Sequence, residues 1–232
     1  RIPGTVTIRI SANKFFFKSS SVVNSLLFDG IRFVGGSGAL RLAATAAMVT
    51  NGVTIARCEF LDYTTCALSS SSVNHPWLRV RECRFKCAEN AEAIGIYWPG
   101  YADCSVIEQN VFTRNRYHIK VGPFLSGTIA IIRNDFIMPS RANDRADIWI
   151  VPNGREHGNN SGFGSAIEAN KFGNELQGPH APRILICGES DNPTYDPEKS
   201  FPDYNKAPIG WVSGWRIVGN RFSGISTPQA SI

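Results

Sequence analysis

The sequence predicts an all-β fold, a right-handed parallel β-helix solenoid of about seven to eight coils, from three observations. A six-residue pattern ending in Phe recurs along the chain, a short alternating strand follows most copies, and the spacing between copies is near constant. The fold is expected as a single domain over 1–232, with loops at 137–147, 152–164 and 188–214 inserted into it.

The pattern is an apolar residue, two others, a small or polar residue, one other, then Phe. It reads Ile10-x-x-Asn13-x-Phe15, Phe28-x-x-Ile31-x-Phe33, Ile55-x-x-Cys58-x-Phe60 and Val80-x-x-Cys83-x-Phe85. It continues as Ile107-x-x-Asn110-x-Phe112, Ile131-x-x-Asn134-x-Phe136, Ile167-x-x-Asn170-x-Phe172 and Ile217-x-x-Asn220-x-Phe222. From Phe33 to Phe136 the steps are 27, 25, 27 and 24 residues. The last two steps, 36 and 50, imply insertions on a coil, and the first, 18, is short.

The strands after Phe are Leu40-Arg41-Leu42, Ile94-Gly95-Ile96, Ile119-Lys120-Val121, Ile148-Trp149-Ile150 and Ile184-Leu185-Ile186. Each alternates with period two, as a half-buried strand does. Strands at a fixed repeat of about 25 residues stack as coils roughly 4.8 Å apart. The Asn column suits a tight bend, where Asn tolerates left-handed backbone and its amide can bond to the coils above and below. Cys58 and Cys83 fill the same slot and read as buried thiols, with a disulfide as the alternative. The Phe column predicts an internal aromatic stack.

Composition agrees with a folded chain: 43% hydrophobic and 19% charged residues over 232. Apolar runs such as 38–49 are too short to span a bilayer as a helix. The chain starts at Arg1 and reads as a portion of something longer. Net charge is +5, but Lys and Arg are dispersed, which disfavours a nucleic-acid binder. The six cysteines show no CxxC pair and no zinc-finger spacing, so no metal or other cofactor is expected.

Strict alternation on the strand after Phe places Arg41, Tyr97, His118, Lys120, Asp147, Trp149 and Arg183 outward, in one stripe across the coils. Loop residues Glu92, Trp98 and Asp144 should lie near it. Aromatic rings stack on apolar sugar faces, and cations pair with hydroxyls or uronate carboxylates, so Tyr97, Trp98, His118, Lys120, Trp149 and Arg183 are candidate substrate-binding residues. Packing of these rings under loops or at an interface is the alternative. A glycoside hydrolase needs two carboxyl groups about 5–5.5 Å or about 6.5–9.5 Å apart. Asp147, with Asp144 or Glu92, is the candidate catalytic pair. A lyase would need a base and a cation at the uronate, and the acid cluster that would bind calcium does not occur, so hydrolysis is the better enzymatic reading. Outside the stripe, Val106, Ile132 and Val218, and Val34, Leu61, Val111 and Ile137, form apolar outward positions that suit a partner surface or loop cover.

Over about residues 5–225 the Ile-x-x-Asn-x-Phe coils resemble the pectate-lyase-like superfamily, and their short, loop-decorated form is most similar to bacteriophage tailspikes. The resemblance implies a homotrimeric receptor-binding protein of the virion tail. It would fold in the host cytoplasm, act outside the cell and recognise a bacterial surface polysaccharide, with depolymerisation left open. A non-enzymatic virion structural or adhesion component, and a free polysaccharide lyase or hydrolase, are the alternatives. Other virion tail proteins are further expected partners, and no membrane insertion is expected.

Overall fold

A computed structural model of the chain describes residues 6–19, 25–42, 52–70, 77–89, 91–98, 104–122, 128–137, 146–151, 164–173, 183–186 and 214–223. Among these residues the fold is all-β, a solenoid of three parallel sheets with no helix. Sheet A stacks eight strands: Val6–Ile10, Ile31–Gly35, Glu59–Tyr63, Arg84–Cys87, Val111–Thr113, Asp135–Ile137, Lys171–Gly173 and Arg221–Phe222. Sheet B stacks seven: Phe15–Ser19, Gly38–Leu42, Cys66–Ser70, Ile94–Trp98, Tyr117–Val121, Ala146–Ile150 and Ile184–Ile186. Sheet C also stacks seven: Leu26–Asp29, Val53–Ala56, Leu78–Arg81, Ser105–Glu108, Ile129–Ile132, Ala166–Glu168 and Arg216–Val218. The chain visits C, A and B in turn, so each strand pairs with its counterpart one coil away.

The Phe column is the spine of the core. Phe33, Phe60, Phe85, Phe112, Phe136, Phe172 and Phe222 stack face to face, with ring centroids 4.7–5.3 Å apart. Six of them, all but Phe222, are at most 1% exposed. Burying each ring contributes about 1.5–3 kcal/mol, and offset stacking adds about 0.5–1.5 kcal/mol per pair. The apolar residue that opens each motif lies opposite on sheet C, where Phe28, Ile55, Val80, Ile107, Ile131, Ile167 and Ile217 fall in one register.

The N-terminal copy of the motif does not belong to this column. Ile8, not Phe15, pairs with Phe33 in sheet A, while Phe15 opens the first strand of sheet B opposite Gly38. The short 18-residue step therefore marks a false match: Ile10-x-x-Asn13-x-Phe15 spans the turn from sheet A to sheet B.

The turn from sheet C to sheet A explains the Asn slot. It contains two residues in Arg57-Cys58, Glu82-Cys83, Gln109-Asn110, Arg133-Asn134, Ala169-Asn170 and Gly219-Asn220. The first of each pair takes left-handed backbone, with φ between 51° and 66°. The bend is thus made one residue before the Asn, and αL tolerance is not why Asn is there. Asn110, Asn134, Asn170 and Asn220 instead form a buried amide ladder. Asn134 Oδ1 accepts from the backbone N–H and Nδ2 of Asn110, both at 3.0 Å. Asn134 Nδ2 donates to the Ile107 carbonyl at 2.9 Å and to Asn170 Oδ1 at 3.0 Å. Asn170 and Asn220 repeat the pattern one coil on. The ladder satisfies turn groups that the sheets leave over, which a buried bend requires.

Cys83 and Cys58 continue the same column as free, buried thiols. Cys83 N–H donates to Asn110 Oδ1 at 2.9 Å, and Cys58 N–H donates to Cys83 Sγ at 3.4 Å. A thiol therefore stands in for the amide oxygen at a longer, weaker contact.

Connection lengths are unequal at the three corners. Sheet C to sheet A takes one or two residues everywhere, whereas sheet B to sheet C takes anything from 20–25 to 187–215. The connections at 138–145 and 174–183 lie between sheets A and B. The expected loops at 137–147, 152–164 and 188–214 fall in these variable connections, and most of their residues lie outside the described ones.

Candidate functional site on sheet B

Two side-chain columns run along sheet B, one outside and one inside. Register places Lys18, Arg41, Ser69, Tyr97, Lys120, Trp149 and Leu185 in the outer column. Its neighbours along the strands, Leu40, Leu68, Ile96, Ile119, Ile148 and Ile184, point into the core, which fixes the direction of the column. The register therefore places Arg41, Tyr97, Lys120 and Trp149 in one outer column, in which Arg41 is exposed, Tyr97 and Lys120 are half-buried and Trp149, 5% exposed, is covered. The Lys120 ammonium lies 5.3 Å from the Tyr97 ring centroid and 4.1 Å from that of Trp149. At the N-terminal end, Lys18 and Arg41 lie 5.6 and 5.9 Å from the Phe15 ring. Trp149 also meets Tyr117 at 4.9 Å and packs with Ala146 and Val151 in an apolar cluster separate from the main core.

His118, Asp147 and Arg183 are not in that stripe. They are 0%, 1% and 4% exposed, and all three face the interior. The physical reason is a break in alternation: in each sheet B strand two consecutive residues turn inward before the outer column begins. Ala39 with Leu40, and Ala67 with Leu68, both lie in the main core. A Cβ on Gly95 would sit 3.1 Å from the Phe112 ring, on the inner side. The next three residues of this inner column are His118, Asp147 and Arg183. The His118 ring lies 5.7 Å from the centroids of both Phe112 and Phe136.

These three residues belong to a buried polar relay. The Tyr63 hydroxyl donates to Asn115 Oδ1, and Asn115 Nδ2 lies 2.9 Å from His118 Nδ1. With Nδ1 accepting, the His118 ring proton sits on Nε2, which faces Asp147 Oδ1 at 3.1 Å. That approach is close enough for strong attraction but is not aligned as a hydrogen bond. Arg183 Nη1 donates to Asp147 Oδ2 at 2.9 Å, and Nη2 donates to the Gly173 carbonyl at 3.3 Å. Asp147 thus has one oxygen on Arg183 and the other against His118. A buried carboxylate is tolerable only with such a counter-charge beside it.

The remaining expected site residues separate. Trp98 closes its strand opposite Val121 and is 1% exposed in the main core, because it follows Tyr97 and so points inward. Glu92 is on the surface and pairs with Arg116 Nη1 at 3.1 Å. Asp144 lies outside the described residues. Sequence reasoning missed Tyr63, which closes the strand Glu59–Tyr63, and Asn115, in the middle of the 114–116 connection; neither belongs to the Phe or Asn column. The signal available for the relay was the inner column itself: Ala39, Ala67 and Gly95 followed by three polar residues, one per coil.

Thiol chemistry follows from burial. Loss of water pushes the Cys66 thiol up to about 12, and the same cause raises Cys83 and the Tyr63 phenol. Such groups carry almost no thiolate at pH 8. Treating the native protein with iodoacetamide at pH 8 should modify Cys104, which is exposed, and spare Cys58, Cys66, Cys83 and Cys87, as peptide mass mapping would read. Native labelling of Cys66 or Cys83 would contradict the packing. The raised groups keep their protons in the folded state while the unfolded chain loses them. The stabilising contribution of the two thiols is therefore whole below the ordinary thiol range and falls as pH rises from about 9, that of the Tyr63 phenol from about 10, by up to about 1.4 kcal/mol per pH unit for each group.

Fold and site together define a parallel β-solenoid with a cation–aromatic stripe on one outer face and an ionic column behind it. No protein-family model, curated protein or solved structure matches the chain.

Proposed function

We propose that this chain is a tailspike-type receptor-binding solenoid, of the right-handed pectate-lyase-like kind, that recognises a bacterial surface polysaccharide through the outer face of sheet B. The observation that carries the reading is the outer run Arg41, Ser69, Tyr97 and Lys120, with Trp149 buried beside Lys120. Its cations and the Tyr97 ring follow a strand-to-strand spacing of about 4.8 Å, which suits an extended chain of sugar rings crossing the strands. Recognition without cleavage is the form the described residues favour, since the Asp147 carboxylate is enclosed by Arg183 and His118. The half-buried outward residues Val34, Leu61, Val106, Ile132 and Ile137 suit contacts between protomers of a trimer.

Biolayer interferometry against immobilised capsular polysaccharides and lipopolysaccharides tests the reading. Binding to at least one of them is expected, with Lys120→Ala weakening it about tenfold or more, the loss of one charge-assisted contact. Absence of binding across the panel, or binding indifferent to Lys120, would contradict it.

A further inference from the structure

The column at the corner between sheets C and A changes chemistry partway along. From Asn110 onward it is an amide ladder, but on the two preceding coils it holds Cys83 and Cys58. Their neighbours pair in register, Ala56 with Arg81 and Glu59 with Arg84, so the two cysteines hold equivalent places one coil apart, about 4.8 Å. That separation lies within the roughly 4.4–6.8 Å between Cα atoms that a disulfide spans. Cys83 Sγ leans toward the earlier coil, where it accepts the Cys58 N–H at 3.4 Å. Cys58 Sγ lies 3.2 Å from the Ala56 carbonyl, and rotation about its Cα–Cβ bond carries it toward Cys83. Both are free thiols at most 2% exposed. An amide in either slot would accept and donate as Asn134 does, and a thiol gives up most of that bonding. What two thiols on consecutive coils have, and amides lack, is oxidation to a covalent bond.

We infer that Cys58 and Cys83 form an oxidation site, at which a small neutral peroxide joins two neighbouring coils through a reversible disulfide. Hydrogen peroxide suits the site because it is uncharged and scarcely larger than water, so it reaches sulfurs that a bulkier alkylating reagent does not. The Cys83 thiol donates to Cys58 and lowers the Cys58 thiol below its ordinary range, and the N–H groups of Ile31 and Gly30 act in the same direction. Loss of water raises Cys83, which keeps its proton. Cys58 is therefore the attacking sulfur and Cys83 the resolving one. The Cys58 thiolate attacks a peroxide oxygen; the S–O bond forms, the O–O bond breaks, and the departing hydroxide takes up a proton as water. Cys58 is then a sulfenic acid. The Cys83 sulfur attacks the Cys58 sulfur; the S–S bond forms, the S–O bond breaks, and the hydroxyl leaves as water with the Cys83 proton. In sum the thiol pair loses a pair of electrons and a pair of hydrogens, and the peroxide is reduced to water. The two positions are 25 residues apart in the chain, so the bond removes closure entropy from the unfolded state and its reduction restores it.

Peptide mapping after peroxide treatment tests the site. The Cys104→Ser protein, which lacks the exposed thiol, is held folded in hydrogen peroxide, then unfolded and alkylated without reductant. A linked pair of peptides carrying Cys58 and Cys83 is expected, lighter by about 2 Da than the reduced pair and separated by dithiothreitol. The oxidised protein should unfold at a higher urea midpoint than the reduced one, and dithiothreitol should abolish the gain. Cys83→Asn places in the slot a residue that the column already accepts and removes the resolving sulfur. In that variant no link should form, and dimedone should trap Cys58 as its sulfenic acid adduct. Circular dichroism melts confirm that each variant is folded. Cys58 and Cys83 both remaining free to alkylate after treatment of the folded protein would overturn the site, as would a link that forms only once urea has unfolded the chain. Equal linkage of either residue to Cys66 or Cys87 would also overturn it, by showing oxidation without regard to register.

Discussion

Arg183→Met is expected to destabilise the solenoid by about 3–5 kcal/mol, because it leaves Asp147 charged, buried and facing only His118 and the Asn115 side of the relay. Arg183 supplies the hydrogen bond to Asp147 Oδ2 at 2.9 Å, and the pair is almost fully enclosed. The informative comparison is the double variant Asp147→Leu with Arg183→Met. Replacing both charges by apolar side chains of similar size removes the desolvation cost along with the attraction, so the double variant should recover most of the loss. Urea denaturation, read as midpoint and slope, measures both. A single variant no worse than the double would show that the pair is not held in a buried site.

Asn134→Ala should cost a comparable amount, about 3–5 kcal/mol, for a different reason. Asn134 Oδ1 accepts two bonds from Asn110, and its Nδ2 satisfies the Ile107 carbonyl. Truncation leaves buried groups on two neighbouring coils without partners, at about 1–3 kcal/mol each. Asn134→Cys provides the graded test, since the column already uses Cys58 and Cys83 in this slot. It should fall between wild type and Ala, because the sulfur accepts weakly and reaches the carbonyl one coil back only at long range, as Cys83 Sγ does the Ile55 carbonyl at 3.7 Å. Equal stability of the Ala and wild-type proteins in urea would contradict the ladder.

The repeat was legible because its cause is local. A Phe must enter the core at one point per coil, and its neighbours two and five residues earlier are fixed by the same short turn. That is why Phe33 to Phe222 line up while connections of very different length separate them. The N-terminal match misled because Phe15 follows an Asn bend at a different corner. The αL residue was displaced by one position: Arg57, Glu82 and Gln109 make the bend, and no composition rule favours them there. Alternation placed Tyr97, Lys120 and Trp149 in the outer column because each strand is regular from its second inward residue onward, but it could not show that Trp149 is covered there. It failed for His118, Asp147 and Arg183 because two successive residues point inward just before that regular stretch. Polar residue type reinforced the error, since burial of three ionisable side chains is rare unless they are placed against one another. Only the coil-to-coil register, small residues giving way to His, Asp and Arg, carries that information.

The central claim is that sheet B turns Asp147 inward while it presents Arg41, Tyr97 and Lys120 to solvent. Carbodiimide footprinting of the native protein with an amine probe, read by peptide mass spectrometry, tests it most directly. Glu82 and Glu89, which are exposed, should be modified readily, and Asp147 should remain unmodified until the protein unfolds. Modification of Asp147 in the folded protein at a rate like that of Glu82 would contradict the account.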